Sequence, residues 1–169
     1  MVAAALTLSG GGLLAIVMHE GWTDTAIIPV PGDVPTIGPG LTGPDVKIGD
    51  RITVPRGLQK LGQAVGLHER LLHTCIGDVP LYQHEWDAYV SLAYNVGANR
   101  VCSSSIVPKL KAGDYEAACA TISDFKCGPA TEATKDAACT KPGGPPKRVI
   151  KGLENRRVVE RAMCEGKQP

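Results

Sequence analysis

Two polar side chains near the amino terminus have the types and spacing to break a bond by acid catalysis. Glu20 ends an apolar run, and Thr36 follows it after a stretch that Pro and Gly residues interrupt. Apolar surroundings disfavour the charged form of a carboxyl group and keep it protonated near neutral pH. A protonated carboxyl group can donate its proton when a bond between two sugars is cleaved. Glu20 is therefore predicted to be a general acid, with Thr36 beside it.

A purely structural explanation of both residues stays open at this point. Glu20 would then be an ordinary last residue of a helix. The hydroxyl of Thr36 would satisfy a backbone group in its own turn, as threonine hydroxyls often do.

Further along the chain, a series of motifs occurs in a fixed order. A D-A-x-x-S-x-x-x-N-x-G pattern begins at Asp87, and a K-L-x-x-G-D-Y turn begins at Lys109. A G-L-x-x-R-R-x-x-E pattern begins at Gly152. With Glu20 and Thr36, this series resembles the phage-type lysozymes, the T4-lysozyme-like endolysin family, and the resemblance covers nearly the whole chain.

The resemblance implies an α+β fold that is mostly helical, with a small antiparallel β-sheet lobe and a cleft between the lobes. It also implies cleavage of peptidoglycan glycan strands between N-acetylmuramic acid and N-acetylglucosamine. Glu20 would protonate the leaving oxygen, while Thr36 would help to place a water on the opposite face of the sugar. No cofactor is expected.

The chain departs from the family at the aspartate that lies between these two residues. Counting from either side puts Pro29 or Val30 at that position, and neither can act as a base. The nearest carboxylates, Asp24 and Asp33, do not fit the spacing. Two alternatives to hydrolysis therefore stay open, a lytic transglycosylase that needs only one acid and an inactive glycan-binding module.

Length and composition predict one soluble globular domain over residues 1–169, and the resemblance implies that it is a lysozyme-like catalytic domain. A β-rich lobe is expected at about 20–52 and a helical lobe at about 53–164, with an irregular insertion at 126–147.

Residues 147–169 carry seven basic and three acidic side chains within a chain of net charge +1. This basic end is either a solvated face or a surface for an anionic polymer. Nucleic acid is not expected as a partner, because no stacking aromatic residues lie among these charges.

The six cysteines favour an oxidising compartment and up to three disulfides. Neither they nor the four scattered histidines have metal-ligand spacing, and surface or hydrogen-bonded core positions are expected for His19, His68, His73 and His84. The resemblance implies the bonds Cys75–Cys102 and Cys119–Cys164. Closeness in sequence alone suggests Cys127–Cys139.

Residues 1–18 contain no charged side chain, and two interpretations are open. Ser9 could cap a helix whose apolar stripe (Leu13, Leu14, Val17 and Met18) packs into the core. Alternatively, the segment resembles the weakly apolar signal-arrest-release segment of some family members, which would give a transient membrane association. We expect a monomer on the periplasmic side of the host membrane, reached by that route or by holin release.

Local patterns predict the remaining elements. Short strands are expected around Ile27 and over Val46–Ile48, and Thr53 with Pro55 signals a helix that runs to about Thr74. Trp86, Tyr89, Val90, Ala93 and Tyr94 have the spacing of a buried helix face. Further helices are expected at about 104–111, 114–124 and 149–164.

Overall fold

The computed structural model describes residues 1–30 and 32–167 of the chain. These residues form a mostly helical structure with two small antiparallel sheets, which confirms the expected α+β class. Its helices are α1 (Gly10–Glu20), α2 (Val54–Ile76), α3 (Gln83–Val96), α4 (Ala98–Cys102), α5 (Ile106–Lys111), α6 (Tyr115–Thr121) and α7 (Lys151–Cys164). Its strands are β1 (Thr23–Ile27), β2 (Thr36–Gly38), β3 (Cys127–Pro129) and β4 (Lys147–Val149).

Helix α1 begins where the sequence predicts, because the Ser9 hydroxyl accepts a hydrogen bond from the Gly12 N–H group. It ends at Glu20, and Gly21 follows with a φ of 73°. Among the described residues, no helix combines the length and the apolar character that crossing a bilayer requires.

The face of α1 that packs inward differs from the predicted stripe. Ile16 is fully buried and Leu13 and Val17 are partly buried, whereas Leu14 and Met18 are 60% and 77% exposed. The prediction that Leu14 and Met18 pack into the core is therefore wrong. The inward face runs through the buried residues Gly12 and Ile16 instead, because the missing side chain of Gly12 leaves room for Asp87 of α3.

The first eight residues lie along the helical lobe. Ala3 donates a backbone hydrogen bond to Val79, and Val2 forms an isolated bridge with Pro80. Leu6 is 1% exposed, and its carbonyl oxygen lies 2.9 Å from Nε2 of His73. Residues 1–20 are thus part of the folded helical lobe.

The first sheet pairs β1 with β2, with Thr23 opposite Gly38 and Ile27 opposite Thr36. The register shifts between these two pairs, so β1 bulges along its length. The predicted strand over Val46–Ile48 is absent from the structure. Turn hydrogen bonds occupy its backbone instead, from Val46 N–H to Gly43 O and from Asp50 N–H to Lys47 O. After this turn the chain pairs with β1 again, through a Gly49 N–H hydrogen bond to the Ala26 carbonyl and an isolated bridge between Arg51 and Thr25.

The two long helices match their sequence signals. Helix α2 begins after Thr53 and extends two residues beyond the predicted Thr74. Helix α3 buries Trp86, Tyr89 and the rest of its apolar face in the main core, and Gly97 ends it with a φ of 90°. Helix α3 packs most extensively on α7, which also begins and ends close to its predicted bounds.

Three disulfide bonds join the same pairs of cysteines as the sequence suggests. Cys75–Cys102 links α2 to α4, and Cys119–Cys164 links α6 to α7. Cys127–Cys139 closes a loop beside the second sheet, in which β3 pairs with β4. No free cysteine occurs in the described part of the chain.

Candidate active site

Glu20 lies at the junction between α1 and the β1–β2 lobe, with its side chain 22% exposed. Its Oε1 atom accepts a hydrogen bond of 2.6 Å from Nη1 of Arg156 in α7. The carboxylate therefore faces a guanidinium group, and the prediction of apolar surroundings is wrong. Ile16 and Val17 lie on the same side of α1, four and three residues earlier, but Arg156 of α7 reaches the carboxylate itself.

Arg156 is itself held by buried groups. Its Nε donates to Oε1 of Glu160 at 3.0 Å, and its Nη2 donates to the carbonyl of Ser91 at 3.4 Å. Glu160 is completely buried, accepts from the Ser91 hydroxyl at 2.8 Å and lies 2.9 Å from Nε of Arg157. This charge cluster of Arg156, Arg157, Glu160 and Ser91 fixes one end of the Glu20 carboxylate.

The cluster corrects the interpretation of two of the seven basic residues in the carboxyl-terminal segment. Arg156 and Arg157 are 7% and 1% exposed, so they belong neither to a solvated face nor to a surface for an anionic polymer. Their spacing from Glu160, three and four residues along α7, is that of ion pairs within a helix. This spacing was the signal in the sequence that could have identified them.

The second oxygen of Glu20 faces a glycine. A Cβ atom at Gly40 would lie 3.0 Å from Oε2, which is closer than nearly all contacts that Cβ atoms make in proteins. Gly40 also has a φ of 73°, a backbone conformation that favours glycine. Oε2 has no hydrogen-bond partner among the described residues, and the missing side chain of Gly40 lets it lie this close to the backbone. No motif in the sequence assigns a role to this glycine.

Tyr94 lies close enough to Glu20 and Arg156 for both charges to affect the pKa of its hydroxyl group. Burial raises the pKa of its hydroxyl, and the carboxylate of Glu20 raises it further, while Arg156 acts in the opposite direction. Its ring meets the ring of His68 edge to face, with centroids 5.8 Å apart. Tyr94 therefore presents a neutral hydroxyl near the candidate acid.

Thr36 begins β2 and is partly buried. Its hydroxyl donates a hydrogen bond of 3.1 Å to the carbonyl of Val34. This is the local turn contact that the structural explanation requires, but it leaves the oxygen lone pairs free to accept a hydrogen bond.

The two neighbouring aspartates are both exposed. Asp33 accepts a hydrogen bond of 2.8 Å from the Val34 N–H group, and the backbone of Asp24 accepts one from Ile52. Neither carboxylate makes a contact with Glu20. Among residues 1–30 and 32–167, no group of His, Cys, Asp and Glu side chains could hold a metal ion.

Two of the four histidines lack the partners that the sequence predicts. Nε2 of His19 and Nδ1 of His68 are buried without a hydrogen bond in the described structure. Burial lowers the pKa of both imidazoles, and Arg156 lowers that of His19 further. His73 and His84 do have carbonyl partners, Leu6 and Cys164.

Trp22 connects the candidate acid to α2. Its ring packs directly on Gly57, where a Cβ atom would collide with it. Because Trp22 follows Glu20 by two residues, this contact fixes the path of the chain as it leaves α1.

Comparisons with known proteins identify the family of the chain. The phage lysozyme family model matches residues 17–160. The chain is 38% identical over 130 residues to an endolysin of Acyrthosiphon pisum secondary endosymbiont phage 1, covering 77% of this chain and 79% of that protein. It is 29% identical to a SAR-endolysin of Enterobacteria phage P21, covering 96% and 92% respectively.

A solved structure gives the same result at the level of the fold. The endolysin from Escherichia coli O157:H7 phage FAHEc1 matches with a TM-score of 0.81 and 27% identity, over 98% of both chains. The family model covers most of the chain and includes both Glu20 and Arg156. The chain therefore belongs to the phage lysozyme family.

Proposed function

We propose that this phage lysozyme is a muramidase, which cleaves the bond between N-acetylmuramic acid and N-acetylglucosamine in peptidoglycan, with Glu20 as its general acid. The observation that carries the proposal is the unequal environment of the two carboxylate oxygens. Arg156 holds Oε1, whereas Oε2 lies beside Gly40 without a hydrogen-bond partner among the described residues. One oxygen is therefore fixed and the other is free to meet a substrate.

In this mechanism, the proton on Oε2 passes to the glycosidic oxygen as the bond to the anomeric carbon breaks. The carboxylate that remains carries a negative charge. The Arg156 guanidinium, 2.6 Å from Oε1, stabilises that charge by a charge-assisted hydrogen bond. The buried cluster behind Arg156 keeps this donor in place, so little reorganisation is needed during the reaction.

A water molecule adds to the anomeric carbon on the opposite face. We infer that Thr36 helps to hold this water, since its hydroxyl proton is directed to Val34 and its oxygen can accept a hydrogen bond from the water. Inverting enzymes normally add a carboxylate base at about 6.5–9.5 Å from the acid. We propose that Asp24 and Asp33 do not take that role. The water keeps one proton in the new hydroxyl group and releases the other to solvent.

Zymography and product analysis together test the proposal. Folded Glu20→Gln protein should lose at least about 100-fold in turnover on peptidoglycan, the lower range for a general acid. Asp24→Asn and Asp33→Asn should each stay close to wild type. A new reducing muramic acid end identifies hydrolysis, whereas a 1,6-anhydro end would identify a transglycosylase. Retained lysis by Glu20→Gln would refute the assignment of the acid, and wild-type protein that binds but never cleaves would leave only a glycan-binding module.

We further propose that the 169 residues form one catalytic domain, acting as a monomer on the periplasmic side of the host membrane. The SAR-endolysin relatives support a route in which residues 1–18 first associate with the membrane. In the folded state Ala3, Leu6 and Ile16 are buried, so the membrane-bound and folded arrangements of this segment exclude each other. Release by a holin is the alternative route.

A further inference from the structure

Helices α3 and α7 run antiparallel, and the candidate active site occupies only one end of the pair. Arg156 contacts the Ser91 carbonyl at that end, whereas His84 contacts the Cys164 carbonyl at the other. Tyr82 immediately precedes α3 and is nine positions from Ser91, a distance of about 14 Å along the helix axis. A groove of about 520 Å³ lies at this far end, and we name it the distal groove. Its walls include Tyr82, His84, Tyr115, Glu116, Arg161 and Glu165.

The distal groove contains an aromatic ring with a fixed orientation. Tyr82 is 72% exposed, and its ring lies parallel to that of His84, with 5.5 Å between centroids and 9° between planes. His84 is held in turn, because its Nδ1 lies 3.2 Å from the Cys164 carbonyl oxygen and its ring lies close to Gly166. One face of Tyr82 is therefore supported by a fixed imidazole, and the other face is open to solvent.

Charged groups of both signs surround this ring. Glu165 accepts hydrogen bonds of 2.6 Å from Arg161 and from Lys167, which orders all three side chains. Glu116 contributes a further acceptor to the wall. The groove thus offers ordered donors and acceptors next to an aromatic face, without a large excess of either charge.

We propose that the distal groove is a second, non-catalytic binding site for a sugar ring of the peptidoglycan glycan strand. A pyranose has an apolar face of C–H groups and an edge of hydroxyl groups. The face would lie on the open side of Tyr82, and the hydroxyl edge would reach Arg161, Glu165 and Glu116. A charged peptide would gain less here, because each cation of the wall is already paired with a carboxylate.

A second contact with the wall would change how the enzyme acts on an insoluble polymer. When one site releases the glycan, the other holds the protein near it, and the effective local concentration of substrate stays high. This inference rests on the proposed function, since it takes peptidoglycan as the polymer that the enzyme meets.

The test uses full-length protein that carries Glu20→Gln, so that the probe is not cleaved. We expect a tetramer of β-1,4-linked N-acetylglucosamine to shift the backbone NMR signals of Tyr82, His84 and Gly166 in a saturable way. Adding Tyr82→Ala should weaken this binding roughly two- to tenfold, the range for one aromatic contact. Tyr82→Phe, which keeps the ring, should retain it. Leu67→Ala, which shortens an exposed apolar side chain on α2, is the matched control and should have no effect.

Three results would overturn the proposal. In the first, signals shift only around Glu20 and none shift in the distal groove. In the second, Tyr82→Ala binds as tightly as its parent while the thermal midpoint shows that it is folded. In the third, sedimentation with purified peptidoglycan shows that removal of the stem peptides abolishes the contribution of Tyr82. Wild-type lysis and the effect of Glu20→Gln are measured in parallel, so failure of the distal groove is distinguishable from failure of the muramidase assignment.

Discussion

At the scale of single residues, the two oxygens of Glu20 have different roles in the proposed mechanism. Oε1 binds Arg156, and Oε2 carries the proton that is transferred. We expect Gly40→Ala to lower turnover by about 10- to 100-fold, because a methyl group 3.0 Å from Oε2 displaces the reacting atom. Gly49→Ala is the matched control. Gly49 has a φ of 89° and open space around it, so the same substitution strains the backbone without touching Glu20. Initial rates of wall lysis compare the two variants, and equal rates would contradict a role for Gly40 in leaving room for Oε2.

The charge cluster behind Arg156 makes a second prediction at this scale. Glu160→Gln removes the carboxylate that two buried arginines share, and breaking such a pair on one side costs about 3–5 kcal/mol of unfolding free energy. Glu154→Gln on the same helix removes an exposed pair with Lys151 and should cost only a small fraction of that. Urea unfolding measures both. A Glu160→Gln protein as stable as Glu154→Gln would mean that the cluster does not contribute to stability.

At the scale of elements, the position of α1 depends on a single glycine in a run of three. A Cβ atom at Gly12 would lie 2.7 Å from Cγ of Asp87, which hydrogen bonds to Ser9 and Gln83 hold in place. We expect Gly12→Ala to lower the unfolding free energy by about 1–3 kcal/mol, as overpacking does. Gly11→Ala meets only an ordinary contact at 3.5 Å and should raise stability by up to about 1 kcal/mol. Chemical denaturation that ranks the two variants the other way would show that α1 sits differently on α3.

The sequence predicts the parts of the fold that depend on local signals, and Gly12 marks a part that does not. Helix α3 follows from the spacing of its apolar residues, and the first residue of α1 follows from Ser9, because both signals are local. The inward face of α1 does not follow, since it depends on the room that Gly12 leaves for Asp87 on another helix.

The same distinction holds for the candidate site: local patterns predict its single residues but not the contacts between them. Glu20 and Thr36 are candidates from motif and spacing. The pairing of Glu20 with Arg156 joins residues 136 positions apart, and no local pattern contains it.

At the scale of the whole molecule, two histidines link stability to pH. The pKa values of His19 and His68 lie below the ordinary 6.5 in the folded state, chiefly because both are partly buried. Arg156 and Arg157 lower the pKa of His19 further, while Glu160 and Glu20 oppose them. Below pH 6.5 the unfolded chain therefore binds protons that the folded state does not, and stability falls as the pH drops.

Urea midpoints at pH 7.5 and 5.5 should show this loss of stability. His68→Gln should reduce it, because a neutral side chain cannot take up the proton. An unchanged difference between the two pH values in His68→Gln would exclude His68 as a source.

We expect each disulfide to stabilise the molecule more when the loop that it closes is longer. The bonds Cys119–Cys164, Cys75–Cys102 and Cys127–Cys139 join residues 45, 27 and 12 positions apart. Each restricts the unfolded chain, by about 2–4 kcal/mol, and longer loops lose more entropy. We expect paired Cys→Ser variants to lose unfolding free energy in that order, with the Cys119/Cys164 variant losing most. Non-reducing peptide mapping first checks the three pairs, and any partner of Cys75 other than Cys102 would contradict the bond between α2 and α4. A reversed order of stabilities in urea would show that the bonds act mainly through contacts in the folded state.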